Sequence, residues 1–117
     1  MKNSVTSFEI WKKMFKTQVN KELNEILSKK FASCYILTVL HADKWNIAFS
    51  IIMPTTLANN FSNKINNNEM LKSTLSLTEE VKIANVNTNI LTKLVFEIKA
   101  KNREELDSML MYMNLII

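Results

Sequence analysis

Apolar side chains recur at spacings of three and four residues through the first quarter of the chain, which is the period of one helix face. The pattern predicts an amphipathic helix of roughly 24 residues. Thr6 with Glu9 three residues later predicts its capped start, and Val5 and Ile10 can pack together beside that cap. We expect the whole apolar stripe to cover one face of a sheet. Its members are Phe8, Trp11, Met14, Phe15, Val19, Leu23, Ile26 and Leu27.

Two strands are predicted next. Residues 31–40 are apolar on both faces and rich in β-branched and aromatic side chains, which is typical of a buried central strand. Residues 41–44 have the composition of a turn. Residues 45–53 alternate between apolar and small or polar side chains, which predicts a half-buried strand that Pro54 ends. The two strands are expected to form a hairpin.

A short middle helix is predicted after Pro54. Leu57, Phe61 and Ile65 recur at four-residue spacing, and Thr55 is expected to cap the helix. The asparagines at 66–68 are expected to end it in a left-handed conformation, because Asn is the residue best able to replace Gly there.

Strands return in the second half of the chain. Strand is only a weak preference at 71–77, and it continues through 81–86 before the turn chemistry of 87–89. Residues 94–100 then alternate as a strand with one solvated face.

A last helix is predicted from its cap. Asn102 precedes Glu105 by three residues, and the stripe that follows consists of Leu106, Met109, Leu110, Met113 and Ile117. The element order is α-β-β-α-(β)-β-β-α. It predicts a single α+β domain over residues 1–117, with an antiparallel sheet of four or five strands, a long N-terminal helix, a short middle helix and a C-terminal helix.

Composition removes most routes to catalysis. The chain has no Gly, one His, one Cys and one Arg. Phosphate-binding loops need Gly, and a zinc site needs three or four ligands where only Cys34 and His41 are offered. Cys34 is expected to be an inert apolar side chain within its strand, and His41 a solvated turn residue. The sequence therefore predicts no catalytic, cofactor-binding or metal-binding residues and no enzymatic activity.

The carboxylates fit structural roles. Glu79 and Glu80 are neighbours on a predicted strand and should point to opposite faces. Glu104, Glu105 and Asp107 occupy the first turn of the last helix, where negative charge favours the helix dipole.

The net charge of +4 resides entirely in the first segment. Residues 1–30 hold seven Lys and three Glu, whereas the remaining residues hold eight basic and eight acidic side chains. This lysine-rich helix suggests an alternative function, the binding of nucleic-acid phosphates, although without Arg it could not read bases through paired hydrogen bonds. The lysines expected to make that contact are Lys12, Lys13, Lys16, Lys29 and Lys30.

The C-terminal helix is apolar nearly all round. If one stripe faces the sheet, Met111, Tyr112, Leu115 and Ile116 remain, and a surface helix has no folding reason to expose them. They are the predicted protein interface, of a homodimer or with another protein. The sequence thus predicts a protein-binding module that acts as adaptor, chaperone, inhibitor or regulator.

The predicted cellular location of the protein rests on segments that the sequence lacks. There is no apolar run of membrane-spanning length and no leader pattern at the start, and the lone Cys favours a reducing compartment. These features predict a cytoplasmic protein without a membrane partner, because the apolar face of the basic helix is expected to be used on the sheet. Abundant Lys, Asn and Ile suggest an AT-rich genome, including that of a phage or mobile element.

Overall fold

Helices and strands follow one another in the predicted α+β order. The computed structural model describes residues 2–83 and 90–117, with side chains from residue 7 onward. The elements are α1 (Lys2–Phe31), β1 (Ile36–Asp43), β2 (Asn46–Pro54), α2 (Thr55–Asn66), α3 (Glu69–Lys72), β3 (Leu75–Ile83), β4 (Leu91–Lys99) and α4 (Arg103–Ile116).

One antiparallel sheet of four strands, in the order β1-β2-β4-β3, forms the floor of the molecule. Alternate residues of the two central strands are buried together with the inner faces of the helices. The residues between them are half-buried or exposed apart from Ser50, so the helices cover one face of the sheet and leave the other open. The buried residues of the two central strands are Ile47, Phe49, Ile51, Met53, Thr92, Leu94, Phe96 and Ile98.

Four phenylalanine rings tie the layers together. The rings of Phe49 and Phe96 stack at 5.3 Å between centroids, and Phe61 meets Phe96 edge-on at 5.5 Å. Phe31, at the end of α1, meets Phe61 edge-on at 5.6 Å. Aromatic pairs in these geometries each add about 0.5–1.5 kcal/mol beyond the area that they bury. The cluster therefore joins α1, α2, β2 and β4.

The first strand differs from its prediction. Residue 31 is still helical, the strand begins at Ile36, and it lies at the edge of the sheet rather than at its centre. Ile36 and Leu40 are exposed because, among residues 2–83 and 90–117, no strand lies outside β1 and no helix covers the open face. His41 belongs to β1, and the turn of the hairpin is made by residues 44–45.

The end of α1 shows how a chain without Gly makes a tight turn. Ala32 takes the left-handed conformation, with φ of 53°, and its N–H donates to the carbonyl of Ser28 at 3.0 Å. Gly normally fills this place because a Cβ is penalised there. The Tyr35 hydroxyl then anchors the chain by donating to the backbone carbonyl of Asn24 at 3.2 Å and to its side-chain oxygen. Desolvation by burial raises the pKa of Tyr35.

Ala32→Gly is expected to raise the free energy of unfolding by about 0.5–1 kcal/mol, because relief of the left-handed penalty of about 1–2 kcal/mol exceeds the entropy that Gly adds to the unfolded chain. Urea denaturation followed by circular dichroism measures this. Ala58→Gly, inside α2, is the control and should instead lose about 1 kcal/mol. A loss of stability at both positions would contradict the strain assigned to Ala32.

The middle helix forms as predicted but its ends differ. Pro54 is its N-cap, and Thr55 is its first residue. The Thr55 hydroxyl does not cap the helix; it hydrogen-bonds the Ile90 carbonyl at 3.0 Å and the Thr92 hydroxyl at 2.8 Å. Asn67, after the helix, has φ of −89°, so the predicted left-handed end is wrong. The chain continues instead into the short helix α3.

Of the remaining predicted caps and strands, the structure confirms some and corrects others. The Asn102 side chain accepts the N–H of Glu105 at 2.9 Å, which confirms the predicted cap of α4. Leu71 lies in α3 rather than in a strand, and one continuous strand, β3, joins the described parts of the strands predicted at 71–77 and 81–86. Glu79 and Glu80 are exposed and pair with successive residues of β4, as their predicted opposite faces require.

Some predictions lie at or beyond the described residues. α1 already runs from Lys2, so the helix does not begin at Thr6. Three predictions lie outside the described residues: the packing of Val5 against Ile10, the strand position of Val86 and the turn at 87–89. None of the helices within 2–83 and 90–117 has the length and hydrophobicity that crossing a bilayer requires.

Candidate functional site: the aromatic end of the molecule

The residues first considered for chemistry lie apart. Cys34 is exposed in the turn before β1, so the prediction of an apolar, buried thiol is wrong, because the strand starts two residues later. His41 is exposed near the far end of β1. From Ile36, where the strand begins after Cys34, to His41 the strand alone extends about 17 Å. Among the residues that the structure describes, no three His, Cys, Asp or Glu side chains gather where they could hold a metal ion.

The residues of α1 that precede Phe15, from residue 7 onward, are not buried against the sheet. The first buried side chain that the structure describes in α1 is Phe15, and the residues from 7 to 14, here called the arm, contain none. A helix of 30 residues is about 45 Å long, whereas the eight residues of β1 extend about 26 Å, so the helix is longer than the strand beneath it. The expectation that the whole stripe covers the sheet is therefore wrong for the arm. Its exposed apolar residues are Phe8 (49% exposed), Ile10 (52%), Trp11 (41%) and Met14 (67%).

An aromatic ladder links the arm to the sheet. The rings of Phe8 and Trp11 are nearly parallel with centroids 6.3 Å apart, and Trp11 and Phe15 stack at 5.3 Å. Phe15 then meets Trp45 edge-on at 5.6 Å. Trp45 belongs to the two-residue turn between β1 and β2, where Lys44 takes a left-handed φ of 53°. Both tryptophans of the chain thus meet at one end of the molecule.

Between the arm and this turn lies a cavity of about 440 Å³, open to solvent. Phe8, Trp11 and Trp45 supply its apolar walls, and Lys44 supplies a charge. We call it the aromatic slot. Its volume falls within the range of about 300–1,000 Å³ that is usual for ligand pockets. A lysine at such a wall disfavours cationic ligands and favours apolar groups that carry negative charge.

Positive charge exceeds negative charge at this end of the molecule. Residues 7–16 and 43–44 hold four lysines against the two carboxylates of Glu9 and Asp43, a net charge of +2. The Lys12 ammonium lies 4.8 Å from the Phe8 ring centroid, which is within the range of a cation–π contact. At about 100° per residue, Lys13 and Lys16 lie on the opposite side of the helix from Trp11, whereas Lys12 lies next to Phe8 on the side of the slot.

The five lysines predicted to bind nucleic acid do not form one patch. Lys12, Lys13 and Lys16 lie on or just after the arm, whereas Lys29 and Lys30 lie at the other end of α1, about 20 Å farther along the helix axis. The Lys29 ammonium donates to the side-chain oxygen of Asn114 at 3.5 Å.

The predicted interface on α4 is divided. Met111 is 57% exposed and Leu115 is 72% exposed, whereas Tyr112 and Ile116 are partly buried and pack against the core. The difference arises because Tyr112 and Ile116 border the buried stripe of the helix, whereas Met111 and Leu115 do not. The outward apolar surface of α4 is thus smaller than the sequence pattern indicates.

A polar network joins α4 to the second half of α1. The Arg103 guanidinium donates to Glu22 Oε1 at 2.8 Å and to Asp107 Oδ1 at 2.9 Å. Lys29 and Asn114 form the second contact, toward the other end of both helices. Residue numbers rise in the same direction along both helices, so α4 runs parallel to α1. It begins at the level of Glu22 and does not reach the arm.

Family models, curated proteins and solved structures were compared with the chain, and none matches. Function must then follow from the chemistry of the site and not from likeness of fold. The aromatic end combines exposed rings, a cavity and positive charge. The sequence pattern predicts Lys12, Lys13 and Lys16 as phosphate contacts, which stays a prediction, and it assigns Trp11 and Trp45 to the core.

Proposed function

We propose that this chain is a non-enzymatic, cytoplasmic protein-binding module whose contact surface is the arm together with the aromatic slot. One observation carries the proposal: both tryptophans and three further large apolar side chains border a part of α1 that the fold leaves uncovered. Tryptophan is enriched among the residues that dominate protein interfaces, because it buries a large, rigid surface. Large exposed apolar patches mark interaction sites in soluble proteins.

The face of α4 is the smaller candidate surface. Met111 and Leu115 are exposed side by side on one turn of the helix, and they lie apart from the slot. A homodimer through this face stays a prediction, and Met111→Glu with Leu115→Glu should convert such a dimer to a monomer in native mass spectrometry. An unchanged dimer mass would exclude the α4 face as the dimer interface.

The binding proposal is tested by selecting ligands from a random peptide-display library on the immobilised protein. Trp11→Glu should weaken the selected ligands by at least about tenfold, because the substitution removes a ring and places a charge in the slot. Met70→Glu is the matched control, since Met70 is also an exposed apolar residue (58% exposed against 41% for Trp11) but lies on α3. Its ligand affinities should stay within about twofold of the original. Equal losses in both variants would contradict a binding surface at the aromatic end.

A second candidate function is binding of single-stranded nucleic acid. It is favoured by Lys44 within the slot, since proteins that bind such strands combine positive charge with exposed aromatic rings on which bases stack. Replacing Lys12, Lys13 and Lys16 with Gln should then abolish binding to oligothymidylate, measured by fluorescence anisotropy over a range of salt concentrations. Binding with an unchanged salt dependence would show that these lysines make no phosphate contacts.

A further inference from the structure

The side of α1 that contacts α4 continues without interruption into the arm. At about 100° per residue, Glu22, Ile26 and Lys29, which line the groove against α4, fall within a sector of about 60° around the helix. Phe8, Trp11 and Phe15 fall within the same sector. One stripe therefore runs along the helix. Its second half faces α4, and its first half faces the slot.

The uncovered part of the stripe has the features of a surface on which another helix packs. α4 already packs along this stripe, but it starts at Arg103, at the level of Glu22. From there to Trp11 the stripe extends about 16 Å, or three helical turns, beyond the start of α4. Ile10 and Met14 lie together on one side of Trp11 around the helix, and they widen the exposed surface into the ridges that another helix packs against.

Charge decides among the occupants. A second copy of this chain would bring the same net charge of +2 at its own aromatic end, and the lysines of the two copies would repel each other. A nucleic acid would be drawn to Lys13 and Lys16, but they lie across the helix from Trp11, so phosphates held there would leave the bases away from the ring. Acidic side chains at the edges of an apolar stripe would instead meet Lys12 and Lys44 beside the slot.

We propose that the arm binds an acidic amphipathic helix of another protein, which lies against Phe8 and Trp11 in line with α4. The inference rests on the proposed function, and it adds the chemistry of the partner. Apolar residues of the partner at three- and four-residue spacing enter the slot, and its carboxylates pair with Lys12 and Lys44. This is the helix-in-groove mode of recognition, in which one apolar face supplies the anchors.

The test uses three synthetic helical peptides of about 18 residues, long enough to form helix in contact with the protein and free of Trp and Tyr. One has a Leu stripe flanked by Glu, one has the same stripe flanked by Lys, and one is a scrambled form of the Glu peptide. Because both tryptophans of the protein border the slot, their fluorescence reports binding directly. The Glu-flanked peptide should bind at least about tenfold tighter than either of the others.

A charge exchange provides the decisive variant. Lys12→Glu with Lys44→Glu should reverse the preference, so that the Lys-flanked peptide binds tighter. Lys64→Glu with Lys82→Glu makes the same change of net charge on α2 and β3, and it should leave the preference as it is. Equal binding of the scrambled peptide, or an unchanged preference after the exchange, would overturn the proposal.

A membrane, a nucleic acid or a second copy of the chain on the arm would each give a different experimental result. Tighter binding to phosphatidylglycerol vesicles or to oligothymidylate than to the Glu-flanked peptide would overturn a helical partner. So would a dimer mass that Trp11→Glu converts to a monomer. If no helical peptide binds while the display selection still returns Trp11-dependent ligands, the helix is wrong and the binding module stands. If those ligands do not depend on Trp11, the proposed function fails as well.

Discussion

Phe96→Ala is expected to lower the free energy of unfolding by about 3–5 kcal/mol, which is the usual loss for removing a buried aromatic side chain. Phe96 is fully buried, stacks on Phe49 and meets Phe61 edge-on, so its removal opens a cavity where β2, β4 and α2 meet. The loss is a large share of the total of about 5–15 kcal/mol that holds a typical domain folded. Urea denaturation followed by circular dichroism measures it.

Phe8→Ala is the matched control for this prediction. It removes the same ring from the arm, where Phe8 is about half exposed, and the expected loss is below about 1 kcal/mol. The contrast separates core from surface along one chain with one chemical change. Similar losses at both positions would show that the arm is part of the fold and would remove it as a binding surface.

Arg103→Met is expected to lower the free energy of unfolding by about 2 kcal/mol, because it leaves the Glu22 carboxylate without its charged partner. Oε1 of Glu22 accepts from Arg103 at 2.8 Å, and Oε2 is buried with no hydrogen-bond partner among the described residues. Partial exposure of both side chains keeps the loss below that of a fully buried pair. Urea denaturation of the variant measures the effect.

The double variant Glu22→Leu with Arg103→Met provides the control. Replacing both partners by apolar side chains removes the stranded carboxylate, and stability should return to about the original value or above it. With the single variants Glu22→Leu and Arg103→Met, the double variant forms a cycle that isolates the coupling between α1 and α4. Additive losses in the double variant would mean that this ion pair does not join the helices.

The sequence predicts where helices and strands lie along the chain better than it predicts which of them lie next to each other in the fold. Helical stripes and the Asn102 cap depend on contacts within a few residues, so they could be read directly. The run from 31 to 40 looks like a central strand because its side chains are apolar on both sides, yet β1 lies at an edge. Which strand lies outside another depends on long-range pairing, and a pattern along the chain does not contain it.

The lack of long-range information in a sequence pattern also explains why the exposed aromatic end was not predicted. The stripe of α1 has one periodicity from Phe8 to Leu27, and nothing in it marks where the sheet beneath the helix ends. Trp45 continues the alternation of β2, so it resembles a core position. Its place in a tight turn requires a left-handed residue before it, and Lys44 gives no such signal because the usual marker, Gly, is absent from the chain. On α4, the pattern could not tell which outward residues border the core.

The division of α1 into the exposed arm and the part anchored from Phe15 onward has a consequence for how the chain can change over generations. Substitutions from Phe15 onward are constrained by packing, whereas those in the arm meet little resistance from the fold. Selection can therefore alter the arm and the Lys44-Trp45 turn while the rest of the domain stays intact. In such a molecule, the identity of the partner can diverge much faster than the architecture that presents the contact surface.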